Sequence, residues 1–257
     1  MGHIISISNQ KGGVGKTTTA INLSASLAVA EKRCLLVDCD PQGNATTGLG
    51  IDKAHVDGGL YELILGSAAE GEVIRKTGLS GLHLIGSSPD LIGAEVELMS
   101  LQDREYRLRG KLFSLRDSYD YVFLDCPPSL GFMTINALTA ADSVLVPLQC
   151  EYYALEGLSQ LLETVGAVRR GLNPSLRLDG ILLTMYDSRN NLALQVEEEV
   201  RGLFKEKVFK TLIPRNVRLS EAPSHGIPIL LYDIKSKGAQ SYLSLAKEFI
   251  DREVEGG

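Results

Sequence analysis

The chain is 257 residues long, 44% hydrophobic and 23% charged, with a formal charge of −6 at pH 7. That length bounds one large α/β domain or two small ones, and no apolar run approaches the roughly 18–20 residues of a membrane span. The acidic balance gives no global attraction to nucleic-acid phosphate, so any basic face has to be local, and the start Met1-Gly2-His3-Ile4-Ile5 lacks the basic leader of a secretory signal.

Short β-branched runs alternate with longer segments of helical period. In chain order, a strand over His3–Ser8 leads into a helix over Lys16–Ala30, and strands follow at Cys34–Asp38 and Leu82–Gly86. The helical stretch Leu91–Arg116 reads equally well as two helices, because Ser100 can cap a new start before Gln102 and Asp103. Beyond it come a strand at Tyr121–Asp125, a helix at Leu130–Ala140, a strand at Ser143–Leu148 and a helix at Leu155–Gly171. The last elements are strand Gly180–Met185, helix Leu192–Phe204, strand Val208–Ile213 and helix Ser236–Arg252. The strands are nearly continuous apolar runs, as expected when both faces are covered. This alternation predicts an α/β fold: a doubly wound, mostly parallel sheet with helices on both faces, as a single domain over residues 1–257.

"SISNQKGGVGKTTTAIN", residues 6–22, reads as strand, glycine loop and helix. Gly12, Gly13 and Gly15 let backbone N–H groups approach an anion, and the positive end of the following helix adds to the attraction. Lys16 would neutralise the β- and γ-phosphates of a nucleotide, with the Thr17 hydroxyl in a Mg²⁺ shell. The pattern G-x-x-x-x-G-K-[ST] is not met, because Gln10 stands where its first glycine belongs. The run K-G-G-V-G-K-T-T instead resembles the variant phosphate loop of the ParA/MinD family of ATPases. That resemblance implies ATP and Mg²⁺ as cofactors, a cradle formed by Lys11, Gly12, Gly13, Val14, Gly15, Lys16, Thr17 and Thr18, and catalytic roles for both lysines. It also implies that Lys11 reaches across a dimer interface to the partner's phosphates; read on its own, Lys11 is a solvated loop lysine.

"RCLLVDCDPQGNATTGLG" ends a buried strand in Asp38 and Asp40, on one face and at the carboxyl end of the sheet, where open α/β folds bind ligands. It resembles the family's first switch segment, which implies that Asp40 orients the attacking water and Asp38 lies near the metal. Asp38 as a cap of the turn is the alternative. "YDYVFLDCPPSLG" ends in Asp125, a carboxylate suited to holding Mg²⁺ through its water, and resembles the second switch, with Pro127 and Pro128 stiffening the turn. His3, His55, His83 and His225 are scattered and none reads as a general base, so turnover is predicted to be slow. Cys34, Cys39, Cys126 and Cys150 form no C-x-x-C pair and read as small buried hydrophobes in a reducing cytosol.

"TLIPRNVRLSEAPSHGIPI", residues 211–229, resembles the chromosome-partitioning, ParA/Soj-type branch. The match implies adenine contacts from the backbone at Pro214 and the side chain of Asn216; an ordinary strand-to-helix turn is the alternative. It also implies sequence-independent DNA binding by basic residues in this half: Arg189 and Arg218 match best, with Arg215, Lys235 and Lys237 as further candidates. Each reads alternatively as a solvated charge. The last helix carries Tyr242, Leu245, Ala246, Phe249 and Ile250 along one face but Glu248, Asp251, Glu253 and Glu255 elsewhere, which favours packing on the sheet over a membrane surface.

The resemblance spans Ile4 to about Phe249, and fewer than a dozen residues precede the loop, so no sequence-reading DNA extension is expected. It implies a cytoplasmic, nucleoid-associated ATPase. ATP would drive its homodimerisation on DNA, and a ParB/Spo0J-type centromere-binding partner would stimulate slow hydrolysis. Rival readings are a membrane-recruited division-site regulator of the same superfamily, an iron–sulfur electron-transfer ATPase, and a nucleotide-dependent scaffold without turnover. The second lacks a cysteine in residues 81–110 to join Cys126.

Overall fold

Ile4, Ile5 and Ile7 are buried on opposite sides of the first strand, β1 (His3–Ile7), which therefore has a core above and below it. The computed structural model describes residues 2–53 and 58–256. From β1 the chain enters α1 (Lys16–Val29), β2 (Cys34–Asp38) and the short helices α2 (Asn44–Gly48), α3 (Leu60–Leu65) and α4 (Glu70–Val73). Next come β3 (Ile74–Lys76), β4 (Leu82–Ile85), α5 (Leu91–Leu98), α6 (Arg107–Leu115), β5 (Tyr121–Asp125), α7 (Phe132–Ala140) and β6 (Ser143–Gln149). The last elements are α8 (Ala154–Gly171), β7 (Arg177–Thr184), α9 (Asn191–Phe204), α10 (Val217–Glu221), α11 (Ile229–Tyr232) and α12 (Lys237–Gly256).

The strands form one seven-stranded sheet in the order β3-β4-β2-β5-β1-β6-β7, parallel except for β3, which pairs antiparallel with β4. Side-chain alternation sends Leu35, Val37, Val122 and Leu124 to one face and Leu36, Tyr121 and Phe123 to the other. The first face is covered by residues of α3 and α5–α9, among them Leu63, Leu108, Met133 and Leu158; the second by α1, α2 and α10–α12, including Leu23, Ala45, Ile229 and Phe249. The expected doubly wound sheet is thus the one observed.

The two-helix reading of Leu91–Arg116 is the one observed, whereas the strand expected at Val208–Ile213 does not form as a ladder. The helical segment after Leu91 is divided, α5 ending before a break in which Asp103 takes a left-handed backbone (φ 60°). Residues 208–214 run beside β7 but touch the sheet only at separate points. The Phe209 N–H donates to the Ile181 carbonyl (2.9 Å) and the Ile213 N–H to that of Leu183 (3.0 Å), with isolated bridges at Val208 and Pro214. Between them, the N–H groups of Lys210 and Thr211 donate to the Glu248 carboxylate of α12 (2.7 and 2.8 Å), so a side chain takes the place of a ladder. Gly180 permits the close approach: a Cβ there would lie 2.5 Å from the Phe209 ring.

Candidate functional site

The glycine loop lies at the carboxyl ends of β1, β5 and β6. Gly13 and Gly15 have φ of +74° and +87°, left-handed values that a side chain would strain, and Gly15 leads directly into α1. Neighbouring strands fix the loop from outside. The Thr184 hydroxyl, at the end of β7, donates to the Val14 carbonyl (2.8 Å). Asn9 donates to the Pro147 carbonyl (2.8 Å) while its side-chain oxygen accepts the Lys11 N–H (3.0 Å). Gly12 and Gly13 are exposed at the tip, Val14 is buried, and Thr17 and Thr18 are half-buried on the first turn of α1.

The two lysines face different surroundings. Lys16 is 7% exposed and its ammonium donates to the Lys11 carbonyl (3.0 Å), curling back over the loop. Burial lowers its pKa, against the pull of Asp125, Cys126 and Asp40. The Lys11 ammonium instead points to the rim and pairs with Glu151 Oε2 at 2.6 Å, both side chains being more than a third exposed.

Asp38 and Asp125 are in-register partners on β2 and β5, both fully buried. Asp38 is well served: Oδ2 accepts the Thr46 N–H (2.8 Å) and hydroxyl (2.7 Å), and Oδ1 accepts the Asp40 N–H (3.2 Å). Burial raises its pKa to about 6, with the hydrogen bonds from Thr46 and Asp40 holding it down. These bonds tie Asp38 into the turn, beside Asp125 on the neighbouring strand. Asp40 is 8% exposed; its side chain accepts the Gln42 N–H (2.9 Å) and its carbonyl the Gly43 N–H (2.9 Å), shaping the turn.

Asp125 is the contrast. Neither of its carboxylate oxygens has a hydrogen-bond partner in good geometry among the described residues. Burial, with Asp38 beside it, pushes its pKa well above the usual carboxylate range, while Thr17 and Lys16 pull the other way. A buried, unpaired carboxylate costs several kcal/mol unless a cation or proton neutralises it. A divalent cation suits these donors: the Asp125 carboxylate and the Thr17 hydroxyl are hard oxygen ligands of the kind Mg²⁺ takes. Among the described residues, no group of three or more His, Cys, Asp or Glu forms a protein-only metal cage.

The Tyr186 N–H donates to the Ile213 carbonyl (2.9 Å) and the Arg215 N–H to that of Tyr186 (3.2 Å). This places Pro214 and Asn216 just beyond the strand whose Thr184 holds the loop. The Asn216 side chain caps α10 by accepting the Arg218 N–H (2.9 Å). Arg189 is 88% exposed and grips Asp187 with two hydrogen bonds (2.9 and 2.7 Å), which hold the Asp187 carboxyl down to about 2. Arg218 pairs with Glu221 (2.8 Å) and approaches Asp233 (3.7 Å). Arg215, Lys235 and Lys237 are exposed. Each leading arginine therefore has an acidic neighbour of its own.

Thr46, Ser87, Glu151 and Thr184 escaped the sequence reading. Thr46 is fully buried and its hydroxyl also accepts the Ser87 N–H (2.9 Å), tying β2, the following turn and the end of β4 at one atom. The small polar run Asn44–Thr47 after the Asp-Pro turn was the available signal for Thr46. Glu151 and Thr184 carried none, since their partners lie over a hundred residues away. All four cysteines are buried, as expected; burial pushes the Cys126 thiol up to about 11 and that of Cys150 to about 12. His3, His83 and His225 are engaged with Glu253, Tyr119 and Tyr232, and His55 lies outside the described residues. Tyr242, Leu245, Ala246 and Phe249 are buried against the sheet. No helix of the described residues is long and apolar enough to cross a membrane.

The profile of a family described as AAA domain matches residues 2–178. The chain is 62% identical to the chromosome partitioning protein ParA of Myxococcus xanthus over 99% of its own length and 90% of the relative's. It is 59% identical to the sporulation initiation inhibitor protein Soj of Bacillus subtilis, over 96% and 98%. Among solved structures it resembles a cobyrinic acid a,c-diamide synthase from Mycobacterium smegmatis with bound ADP and magnesium. That match has a TM-score of 0.88 and 38% identity, covering 100% of this chain and 97% of the other.

Proposed function

The chain belongs to the ParA/Soj-type family of chromosome-partitioning ATPases, and on that premise we propose that residues 1–257 act as a single ATPase domain whose bound ATP closes two copies face to face on DNA. The observation that carries this reading is the divergence of the two loop lysines. Lys16 is turned inward over its own loop, whereas Lys11 stands at the rim with its ammonium free to reorient at small cost. A cation at the rim can serve a neighbour's phosphates, making dimerisation depend on the triphosphate it neutralises.

Within one subunit, N–H groups of the glycine loop and the start of α1 cradle the phosphates, with Lys16 against the β- and γ-phosphates and Pro214 and Asn216 beside the base. Asp125 and Thr17 hold Mg²⁺, whose charge offsets that of the phosphates. Asp40 orients the attacking water, in a turn that Asp38 fixes through Thr46. With no histidine at the site, hydrolysis is slow and needs stimulation by a ParB/Spo0J-type partner. Arg189 and Arg218, with Arg215, Lys235 and Lys237, contact DNA phosphates. Joining two such half-patches makes the dimer bind far more tightly than one subunit, which overcomes an acidic chain and ties it to the nucleoid.

Sizing the Asp40→Ala variant with ATP, with and without Lys11→Ala, tests the reading. A nucleotide-dependent dimer that disappears with Lys11→Ala is expected. A hydrolysis-blocked, ATP-loaded protein that remains monomeric well above its nucleotide affinity overturns it.

A further inference from the structure

Helix α5 buries Leu91, Ala94 and Leu98 in the core, yet its outer side is not polar. Ile92, Val96 and Met99 stand 63%, 70% and 59% exposed at spacings of four and three residues, and Leu101 continues the run at 40%. Side chains at i, i+4 and i+7 share one helix face, so these residues form a stripe rather than scattered apolar positions. Isolated exposed hydrophobes need no explanation, whereas a contiguous stripe on a surface helix marks a contact surface.

Charge identifies what fits it. Residues 88–103 contain Asp90, Glu95, Glu97 and Asp103 and no lysine or arginine. Asp90, Glu97 and Asp103 are all exposed, around the stripe or at its ends. The cation that does reach this end of the helix, Arg104, is occupied: it donates to Glu105 Oε1 (2.9 Å) and to the Met99 carbonyl (3.1 Å). An apolar stripe that includes a methionine, on a segment whose own charges are all acidic and whose neighbouring Arg104 is already paired, is complementary to a helix with an apolar face and lysine or arginine flanks.

We propose that the outer face of α5 is a docking surface for a basic amphipathic helix of a partner protein, with Ile92, Val96 and Met99 receiving its apolar side chains and Asp90, Glu97 and Asp103 its cations. Nothing in this contact involves the glycine loop or the acids of β2 and β5, so it stands or falls separately from the ATPase cycle.

The probe is a fluorescein-labelled helical peptide of leucine and lysine with an i, i+4, i+7 apolar face, titrated with the full chain without nucleotide and followed by anisotropy. Two controls accompany it, a peptide of the same composition with the stripe scrambled and a leucine–glutamate analogue. Saturable binding to the first peptide is expected, at least about tenfold tighter than to either control. The double variant Ile92→Ser/Val96→Ser should weaken it about tenfold, and Asp90→Asn/Asp103→Asn several-fold, with thermal midpoints unchanged because these positions are exposed. Equal affinity for the scrambled peptide, or undiminished binding by Ile92→Ser/Val96→Ser, overturns the proposal. So does nucleotide-independent self-association of the wild-type chain that this variant abolishes, since a second copy would then be the occupant.

Discussion

Asp38 and Asp125 end neighbouring strands as register partners, yet one carboxylate accepts three hydrogen bonds and the other accepts none in good geometry. Equal burial with opposite provision separates their roles. Asp38 is bonded into the turn that follows it, and on the proposed reading Asp125 is the carboxylate left for a cation.

That separation predicts an uncommon mutational signature. Asp125→Asn removes a buried carboxylate that accepts no hydrogen bond in good geometry and that Thr17 and Lys16 offset only in part, so without metal the variant should be as stable as the parent or more so, by about 1–3 kcal/mol. Its Mg²⁺-dependent ATP hydrolysis should fall by about 10²-fold or more. Thermal melts in chelator and phosphate-release assays check both. A destabilised variant that retains hydrolysis contradicts the assignment.

Thr46 should behave as a positioning residue. Thr46→Val keeps the shape but takes a donor from Asp38 and an acceptor from the Ser87 N–H, costing about 1–3 kcal/mol. A loosened Asp40 turn lowers kcat about tenfold with little change in KM, and Thr46→Ser restores both. Steady-state kinetics on the three proteins, with melts alongside, decide the matter; equal losses in Val and Ser variants would assign Thr46 to packing alone.

The Lys11–Glu151 pair is a partly exposed ion pair, a class worth less than about 1 kcal/mol. It restrains Lys11 only weakly. Glu151→Gln should therefore tighten ATP-dependent dimerisation by less than about fivefold, measured by analytical ultracentrifugation of the Asp40→Ala background. A much larger effect, or a loss of dimer, gives Glu151 a role across the interface instead.

Arg189 is held by Asp187, whose pKa near 2 keeps the pair ionised at any ordinary pH. Asp187→Asn should release the guanidinium and strengthen DNA binding a few-fold. Arg189→Ala with Arg218→Ala should reduce the slope of log affinity against log salt by about two, one for each lost phosphate contact. Anisotropy titrations across salt concentrations report both changes.

Glu248 gives a pH-dependent stability. Burial pushes its carboxyl up, but the Lys210 and Thr211 amides and Arg252 outweigh burial, and its pKa lies below the usual 4.5. Its contribution is thus present above pH 4.5 and lost as pH falls through the lower folded value. Glu248→Gln should cost about 1 kcal/mol at neutral pH, allowing for solvent screening, and less in acid. Urea titrations at several pH values should show the gap from the parent narrowing below pH 4.5.

Sequence pattern locates those parts of the fold whose causes are local. β2 and β5 are apolar runs closed by Asp and then Pro, and α1 begins where left-handed glycine turns into helix. The seven residues from Lys11 to Thr17 identify the loop without help from any neighbour. Long-range causes are hidden. Val208–Ile213 reads as a strand by composition, but Glu248 claims two of its amides from a distant helix. β3 is only three residues long and carries Arg75 and Lys76, so its pattern is too short to stand out. The tether from Thr184 to Val14 becomes visible only once β7 lies near the loop.

The amides that Glu248 occupies also have a consequence for crowding. An unpaired rim of a β-sheet is a template on which another chain can zip, and proteins that gather at high local density are most at risk. Here one rim is the three-residue β3, and along the other a carboxylate blocks two successive donors. Permanent backbone stitching between molecules along these rims is thereby disfavoured.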